Sequence, residues 1–367
     1  MTAVDPGVMN PLAAGSSAPP CEVYDVALLD LDGVVYVGPD AVPGVPDALS
    51  AARAAGMRLG FVTNNASRPP EQVAEHLTRL GVPAGASDVI TSSQAAATVV
   101  AELLESGAPV LAVGGPGVAA ALTAAGLTVV ERAEDRPAAV VQGYGSEVGW
   151  VQLAEAVVAV RDGARHVATN SDLTVPSPRG PLPGNGALVG LVTAVTGQTP
   201  LITGKPDPAM HAECVRRTGA RRPLVVGDRL DTDIEGARRV GAASLLVFSG
   251  VTDPALLLAA GPQHRPDLIA VDAAGLLRPH PPVTTDGESW RCGNWSVRAA
   301  EAHDVLVLDT GGMHDQSDGL DGLRALCAAH WSRHSDGGTP VRVVAAGPRA
   351  EEALGRWGLI RRSTMDE

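Results

Sequence analysis

Residues 26–36 read VALLDLDGVVY, an apolar run that ends in two acids two positions apart. The run Val26–Asp30 has the length and composition of a buried parallel strand. In open α/β sheets, ligands bind beyond the carboxyl ends of the strands. The stretch therefore predicts a strand that delivers Asp30 and Asp32 to a binding site, although Asp-Leu-Asp-Gly also suits a turn with two solvated acids.

Further apolar runs along the chain resemble the first one. Arg58–Thr63, Pro223–Asp228 and Ser244–Phe248 read as buried strands, and a helical pattern spans residues 71–80. Strands that alternate with helices are typical of parallel sheets. We therefore expect an α/β fold with a doubly wound, Rossmann-like parallel sheet as its core. The alternation continues over residues 110–169, which predicts a second α/β module inserted into the first.

The length of 367 residues predicts two or three domains. Arg278–Val283, with three prolines, is typical of a linker, and tryptophan becomes more frequent after it. The predicted divisions are a flexible N-terminal tail at 1–20, an α/β core at 21–94 and 200–277, an inserted cap at 95–199, a linker at 278–289 and a small α/β C-terminal module at 290–367.

Composition argues against several classes of function. A formal net charge of -13 opposes binding to nucleic acid and to anionic membrane surfaces. The four cysteines are far apart in sequence, which opposes a disulfide framework or a zinc site and favours a reducing, cytoplasmic setting. The first residues lack the features of a signal peptide, and no uncharged apolar run is long enough to span a bilayer.

The two acids after the first strand suit stepwise phosphate transfer. The Asp30 carboxylate can attack phosphorus and form an acyl-phosphate. Asp32 can protonate the leaving alkoxide and then deprotonate the water that hydrolyses the intermediate. Because a carboxylate and a phosphate dianion repel each other, such a site needs a divalent cation and a fixed positive side chain.

Residues that meet these needs follow later strands or tight loops. Thr63 and Asn64, in VTNN, can hold phosphoryl oxygens through a hydroxyl and a backbone N–H, although both also suit a strand-to-helix cap. Lys205, in TGKPDP, can supply the positive charge, although a lone lysine is by default an exposed surface residue. Asp228, in VVGDRLDTDIEGA, can coordinate magnesium. Asp233 is a candidate partner for Lys205 or for a metal-bound water.

The segments DLDGVVY, VTNN, GKPDP and GDRLDTDI resemble the four motifs of the haloacid dehalogenase superfamily. They are most similar to its capped nitrophenylphosphatase-like branch, which includes phosphoglycolate, pyridoxal-phosphate and glycerol-3-phosphate phosphatases. The resemblance covers the chain from Asp25 to Leu277. It implies a phosphoric monoester hydrolase that works through an aspartyl-phosphate.

The resemblance also implies a role for each motif residue. Asp30 is then the nucleophile, Asp32 the acid and base, and Lys205 the charge clamp. Thr63 and Asn64 are the implied phosphate binders, and we add the adjacent Asn65 as a candidate.

The resemblance also implies a bound magnesium ion. It is expected to be held by the Asp30 side chain, the Asp32 backbone carbonyl and the Asp228 side chain, with Asp233 behind them. The implied partner is a small phosphorylated metabolite, and a homodimer is left open. A regulatory protein that binds such a metabolite without catalysis is the alternative from another class; a missing motif acid would favour it, and none is missing.

The space for an inserted cap lies between Thr63 and Lys205. Caps in this position close over the site and exclude water. The loop Asn170–Asn185, rich in turn formers and polar groups, resembles the substrate-facing segment of such caps. Asn170, Asp172 and Arg179 are therefore candidate contacts to the leaving group, and an ordinary exposed loop is the alternative reading.

The C-terminal segment Glu351–Ile360 resembles the last helix and turn of acetyltransferase-like folds, but the glycine-rich pyrophosphate loop is missing. We therefore expect a structural or interaction role for this segment. Because all motif residues precede Arg278–Val283, we also expect a chain that ends near Pro279 to fold and turn over substrate. Phosphatases with such a tail occur among glycerol-3-phosphate phosphatases. Glycerol 3-phosphate is accordingly the first expected substrate, with phosphoglycolate, a sugar phosphate and pyridoxal phosphate as alternatives.

Overall fold

A computed structural model describes residues 10–177, 179–300, 305–311, 318–339 and 341–360. The chain divides into two compact units. The first unit comprises Met1–Val37, Ala41–Arg58 and Arg222–Glu367, and the second comprises Gly38–Asp40 and Leu59–Arg221. The predicted tail is partly outside the described residues, since its positions 1–9 are not among them.

Strands occur along the whole described chain. They are β1 (Val26–Leu29), β2 (Tyr36–Val37), β3 (Asp40–Ala41), β4 (Arg58–Thr63), β5 (Val89–Thr91), β6 (Pro109–Val113), β7 (Thr128–Val130), β8 (Ala139–Gln142), β9 (Arg165–Ala168), β10 (Thr174–Val175), β11 (Leu182–Pro183), β12 (Leu201–Ile202), β13 (Pro223–Gly227), β14 (Ala243–Val247), β15 (Leu268–Ala270), β16 (Thr284–Thr285), β17 (Ser289–Cys292), β18 (Trp295–Ala299), β19 (Val305–Thr310) and β20 (Arg342–Ala345).

Helices alternate with these strands. The α-helices are α1 (Pro20–Val23), α2 (Val45–Ala54), α3 (Pro70–Arg79), α4 (Ser92–Leu103), α5 (Pro116–Ala124), α6 (Trp150–Arg161), α7 (Asn185–Thr196), α8 (Pro208–Thr218), α9 (Glu235–Val240), α10 (Pro254–Leu258), α11 (Asp321–Arg333) and α12 (Pro348–Arg356). Short 3-10 turns lie at Pro11–Ala13, Ala86–Asp88, Ala133–Asp135, Pro262–His264 and Ala273–Leu277, and a π-helical turn at Leu230–Ile234.

The first unit is built around parallel strands in the order β15–β14–β13–β1. Val26 pairs with Pro223 and Leu29 with Val226, and all four residues of β1 are buried. Such complete burial explains the unbroken apolar run in the sequence. The expected α/β fold with a Rossmann-like parallel sheet is confirmed.

The second unit has its own parallel sheet in the order β12–β9–β8–β6–β7, and β4 pairs in parallel with β5. Two apolar clusters pack within this unit: Val100, Val118 and Leu122 belong to one of them, and Leu153 and Val192 to the other. The predicted cap at 95–199 falls inside this unit, which itself extends from Leu59 to Arg221. The domain bounds given above stay a prediction.

The C-terminal part of the first unit forms a further sheet in the order β16–β17–β18–β19–β20. Neighbouring strands are antiparallel up to β19, whereas β19 and β20 are parallel. Strand β16 lies inside the segment predicted as a linker. Helix α11 packs on β17 and β18.

One apolar core joins the C-terminal segment to the parallel-sheet part of the first unit. Ile269 and Leu257 belong to the same cluster as Trp331 and Leu326. The Trp331 indole N–H donates to the carbonyl of Leu258 at 3.2 Å. A chain that ended near Pro279 would expose the residues that this core now covers, among them Leu257 and Ile269, and its ability to fold stays a prediction.

A buried arginine also ties the two parts of the first unit together. The Arg265 guanidinium, which is fully buried, donates to the carbonyl oxygens of Ala260, His334 and Ser335. It also lies over the Trp331 ring, 5.2 Å from the ring centre. These bonds satisfy a charge that would otherwise be costly to bury.

Residues 10–20 differ from the prediction of a flexible tail. Leu12 is buried in the shared core, and Ser16 exchanges backbone hydrogen bonds with His280. The Ala, Gly, Ser and Pro content suggested a loose segment, but contacts with residues far along the chain hold it in place. Among the described residues, no helix has both the length and the apolar composition needed to cross a bilayer.

Candidate active site

Three carboxylates converge in the first unit. Asp30, Asp228 and Asp233 each offer one oxygen, and these oxygens lie within 4.8 Å of one another. Asp30 follows β1 and Asp228 follows β13, which are neighbouring parallel strands, and Asp233 lies in the π-helical turn after β13. The carboxyl ends of adjacent strands therefore bring together acids that are about 200 residues apart in sequence.

The loop after β1 packs against Asp228. Its turn is held by hydrogen bonds from Val35 N and Tyr36 N to the Leu31 carbonyl, at 2.9 and 3.2 Å. Gly33 has a φ of +87°, and a Cβ there would overlap Asp228 Oδ2. Glycine is required at this position on both counts. Asp32 lies on the same loop with an exposed side chain.

Asp228 and Asp233 are both 1% exposed and both accept backbone hydrogen bonds. Val251 N donates to Asp228 Oδ2 at 2.7 Å, and Arg229 N donates to Asp233 Oδ2 at 3.2 Å. Buried anions in one place repel each other, and a divalent cation with a preference for oxygen ligands would neutralise them. The donor set therefore fits Mg²⁺. Asp233 was expected behind the ligands, and its carboxylate lies within the cluster itself.

A second set of predicted site residues lies in the second unit. Thr63 is the last residue of β4 and is 5% exposed, and its hydroxyl accepts from Asn65 N at 3.0 Å. The Asn64 side chain contacts the backbone of Lys205: Oδ1 accepts from Lys205 N at 2.8 Å, and Nδ2 donates to Lys205 O at 3.2 Å. Asn65 is exposed and accepts from Ser67. The chain thus joins two of the predicted motifs within one unit.

The predicted cap loop meets the same residues. Asn170 is 3% exposed; its Nδ2 donates to Asn64 O at 2.7 Å, and its Oδ1 accepts from Asp172 N at 3.2 Å. Asp172 Oδ2 accepts from Asn64 Nδ2 at 3.2 Å. Both ends of the Asn170 side chain are therefore used within the protein. In the described part of the chain, Arg179 is exposed and takes no part in this cluster.

Sequence reasoning missed several residues that shape these two sets. Gly250 lies against Asp228, where an added Cβ would overlap Oδ2, and Gly204 lies against Thr169 and Asn64. Ser92 donates its hydroxyl to Asn64 O at 2.5 Å. The glycine in TGKPDP offered a signal, because glycine beside a functional residue often marks a close backbone approach. Ser92 offered none.

Known proteins are similar to this chain along nearly its whole length. A D-glycerol 3-phosphate phosphatase from Mycobacterium tuberculosis is 43% identical over 351 residues, which are 92% of this chain and 95% of the relative. Residues 27–128 match the family described as haloacid dehalogenase-like hydrolase, and residues 202–276 match one described as HAD-hydrolase-like. The chain belongs to the haloacid dehalogenase family of hydrolases.

Further relatives of this haloacid dehalogenase-family protein are also phosphatases. An acid sugar phosphatase from Staphylococcus aureus is 37% identical over 231 residues, which are 62% of this chain and 88% of the relative. The crystal structure of a glycerol phosphate phosphatase from Mycobacterium tuberculosis in complex with magnesium superposes with a TM-score of 0.83 at 41% identity, covering 93% of this chain and 99% of that one. The prediction of a phosphoric monoester hydrolase is confirmed.

The C-terminal segment has a match of its own. Residues 292–359 match the family described as GCN5-related N-acetyltransferase like domain. This agrees with the resemblance noted at Glu351–Ile360. In this haloacid dehalogenase-family phosphatase, the matched segment contributes Trp331 and Leu326 to the core of the first unit.

Proposed function

We propose that this phosphatase hydrolyses glycerol 3-phosphate with magnesium, through an aspartyl-phosphate on Asp30. The observation that carries the substrate is the 43% identity to a D-glycerol 3-phosphate phosphatase over 95% of that relative. That relative is matched over 92% of this chain, whereas the sugar phosphatase is matched over 62%. The cluster of Asp30, Asp228 and Asp233 supports the chemistry.

Magnesium is the proposed cofactor. Asp30 and Asp228 side chains and the Asp32 carbonyl would hold it, and the proximity of the Asp233 carboxylate supports a direct or water-mediated role for that residue as well. The similar phosphatase crystallised with magnesium adds support. When bound, the ion offsets the charge of phosphate and carboxylates, so that an anionic nucleophile can approach phosphorus.

The first half of the proposed reaction forms the intermediate. An Asp30 carboxylate oxygen attacks phosphorus, and the bond from phosphorus to the ester oxygen breaks. Asp32, in its protonated form, gives its proton to the departing alkoxide, which leaves as glycerol. The exposed position of Asp32 on the loop after β1 supports a role in proton exchange with solvent.

The second half regenerates the enzyme. Asp32, now a carboxylate, takes a proton from a water molecule as that water attacks phosphorus. The bond between phosphorus and Asp30 breaks, and inorganic phosphate is released. Asp30 returns as a carboxylate and Asp32 as an acid, so that the net reaction consumes one water per ester.

The proposed phosphoryl-binding groups are the Thr63 hydroxyl, the backbone N–H of Asn64 and the Lys205 ammonium. A fixed cation and preorganised donors stabilise the charge that spreads over the phosphoryl oxygens. Hydroxyls of the leaving group are proposed to bind near Asp172 and Arg179. The setting is proposed to be cytoplasmic, and whether the chain forms a homodimer stays a prediction.

Sugar phosphates are the second candidate substrates, because the Staphylococcus aureus relative is an acid sugar phosphatase. The two candidates differ in leaving-group size and not in mechanism. A comparison of kcat/KM for glycerol 3-phosphate, sugar phosphates, phosphoglycolate and pyridoxal phosphate decides between them. A tenfold advantage of any other ester, about 1.4 kcal/mol of transition-state binding, would reject glycerol 3-phosphate and leave the phosphatase mechanism intact.

The mechanism itself is tested with p-nitrophenyl phosphate and purified protein. We expect activity that is lost with EDTA and restored with magnesium, and no turnover in Asp30→Asn. Asp32→Asn should lower kcat by roughly 10²–10⁴-fold, the usual contribution of general acid–base catalysis. Unfolding temperatures near that of the parent chain would show that both variants are folded. Full activity in folded Asp30→Asn would refute the nucleophile assignment.

A further inference from the structure

Asn64 holds one residue at two points. Its Oδ1 accepts from the backbone N–H of Lys205 at 2.8 Å, and its Nδ2 donates to the backbone carbonyl of the same residue at 3.2 Å. The two bonds engage both peptide groups that flank the Lys205 Cα. They therefore fix the point from which the lysine side chain starts, across 141 residues of sequence.

Asn64 is itself firmly held. Its backbone carbonyl accepts from the Ser92 hydroxyl at 2.5 Å and from Asn170 Nδ2 at 2.7 Å. The preceding strand, β4, is buried over most of its length. Because the Asn64 backbone is held in this way, its side chain fixes the position of the Lys205 loop relative to β4.

The hydrogen-bonding capacity of the Asn64 side chain is largely used. A side-chain amide has two N–H donors. Two acceptors receive them, Lys205 O and Asp172 Oδ2, both at 3.2 Å. No N–H of this side chain is left for a phosphoryl oxygen.

The loop backbone also approaches Asn64 more closely than most residues would allow. A Cβ added at Gly204 would overlap the Thr169 carbonyl and lie 2.7 Å from Asn64 Oδ1. Glycine immediately before Lys205 therefore permits the bond between Lys205 N and Asn64 Oδ1. Gly204 and Asn64 are therefore both needed for this contact with the Lys205 backbone.

We infer that the Asn64 side chain is a positioning clamp for Lys205 and does not bind substrate. The inference rests on the proposed role of Lys205 as the cation that binds the phosphoryl group. Only an amide of this length offers one acceptor and two donors in this arrangement. Alanine removes both bonds, whereas aspartate keeps the acceptor but places a second anion beside Asp172.

A double-mutant cycle with inorganic phosphate as the probe tests the clamp. The variants are Asn64→Ala, Lys205→Ala and the double variant, with Gln72→Ala as a control that removes an amide from an exposed position of α3. Phosphate affinity is measured calorimetrically in the presence of magnesium, because this does not require turnover. Steady-state kcat/KM and unfolding temperatures are measured alongside.

In the parent background, we expect Asn64→Ala to weaken phosphate binding clearly and to lower kcat/KM by up to about 10²-fold, the cost typical of a misplaced catalytic group. In the Lys205→Ala background, the same substitution should change phosphate affinity by less than threefold, because the group that it positions is gone. Gln72→Ala should match the parent chain. If Asn64→Ala does not fold, Asn64→Leu keeps the approximate side-chain size, removes both bonds to Lys205 without adding a charge, and is expected to show the same pattern.

Equal weakening by the Asn64 substitution in both backgrounds would overturn the clamp, since it would indicate direct contact with phosphate or general damage. An unchanged phosphate affinity in Asn64→Ala would overturn it as well. If Lys205→Ala alone binds phosphate as tightly as the parent chain, the proposed role of Lys205 fails, and the clamp inference fails with it.

Discussion

At the scale of single residues, two glycines help to determine where the Asp228 carboxylate lies. Gly33 and Gly250 both contact the Asp228 carboxylate at points where a Cβ would overlap it. Val251 N then donates to the same carboxylate at 2.7 Å. The orientation of Asp228 is therefore set by backbone approach from two loops, and not by other side chains alone.

Gly250→Ala should weaken magnesium binding, because the added methyl group must displace Asp228 from the cluster. Changes behind a metal ligand typically lower metal affinity by about 10–100-fold. The measurement is the magnesium concentration that gives half-maximal hydrolysis of p-nitrophenyl phosphate, together with the rise in unfolding temperature on adding magnesium. Gly190→Ala is the matched control, since an added Cβ there meets nothing within 4 Å. A Gly250→Ala protein with the magnesium response of the parent chain would contradict this account.

The acids and the lysine could be proposed from the sequence, but the hydrogen bonds from the Asn64 side chain to Lys205 could not. VTNN and GKPDP are visible as motifs, so Thr63 and Lys205 could be proposed. The bonds from Asn64 to Lys205 span 141 positions, and the bond from Asn170 spans 106. No local sequence pattern indicates a hydrogen bond over such a distance, so only the backbone N–H of Asn64 was predicted to contact phosphate, and the role of its side chain was missed.

At the scale of elements, the buried strands were the most predictable feature. Arg58–Thr63 was predicted and observed with the same bounds, and Pro223–Asp228 was observed as Pro223–Gly227. Strands buried on both faces need continuous apolar runs, and these are easy to see. The two-residue strands β10 and β11 were not predicted, because so short a segment has no periodicity to detect.

Helix α8, which begins three residues after Lys205, is fixed to α4 through Glu213. The Glu213 carboxylate is 2% exposed and accepts from Thr98 at 3.0 Å, from Arg216 at 2.9 and 2.6 Å, and from Arg217. Burial raises the pKa of this carboxyl, but the hydrogen bonds from the two arginines and Thr98 outweigh burial and hold the pKa below its ordinary value. The folded chain therefore favours the anionic form of Glu213 over the protonated form more strongly than the unfolded chain does.

Glu213→Gln should destabilise the chain by about 1–3 kcal/mol near neutral pH, the usual cost of disrupting a buried hydrogen-bonded group. Since the folded pKa is lowered, the contribution of Glu213 is complete above the ordinary carboxyl pKa of about 4.3 and is lost as the pH falls through the lowered value. Chemical denaturation at a series of pH values should show that the difference in the free energy of unfolding between the parent chain and Glu213→Gln becomes smaller as the pH falls. Glu75→Gln, at an exposed position of α3, should have the same free energy of unfolding as the parent chain at each pH. A stability difference between the parent chain and Glu213→Gln that does not depend on pH would argue against a charged Glu213.

At the scale of the whole molecule, the C-terminal segment is part of the first unit and not an appendage to it. Leu257 and Ile269 share one apolar cluster with Leu326 and Trp331, and Arg265 reaches across to the carbonyls of His334 and Ser335. The proline-rich sequence at 278–283 suggested a linker between separate bodies. It did not reveal that the surfaces on its two sides are complementary, since that depends on which residues face each other after folding.

Trp331→Ala should destabilise the first unit by about 3–5 kcal/mol, because it removes a large, fully buried side chain and its bond to Leu258 O. Thermal and denaturant unfolding measure the loss, and kcat at low temperature should remain close to that of the parent chain while the protein is folded. Trp150→Ala is the control: this tryptophan is 82% exposed, and its removal should change stability by no more than about 0.5 kcal/mol. Equal stability of the two variants would disprove the shared core.

The shared core has an evolutionary consequence. The segment that matches an acetyltransferase-like family supplies Trp331 and Leu326 to an interior on which the phosphatase part also depends. Recombination that deleted the segment would leave that interior facing water, so the gene cannot lose the segment without compensating changes. We expect descendants of this chain to keep a large apolar side chain at the position of Trp331, even where exposed positions of the same segment change.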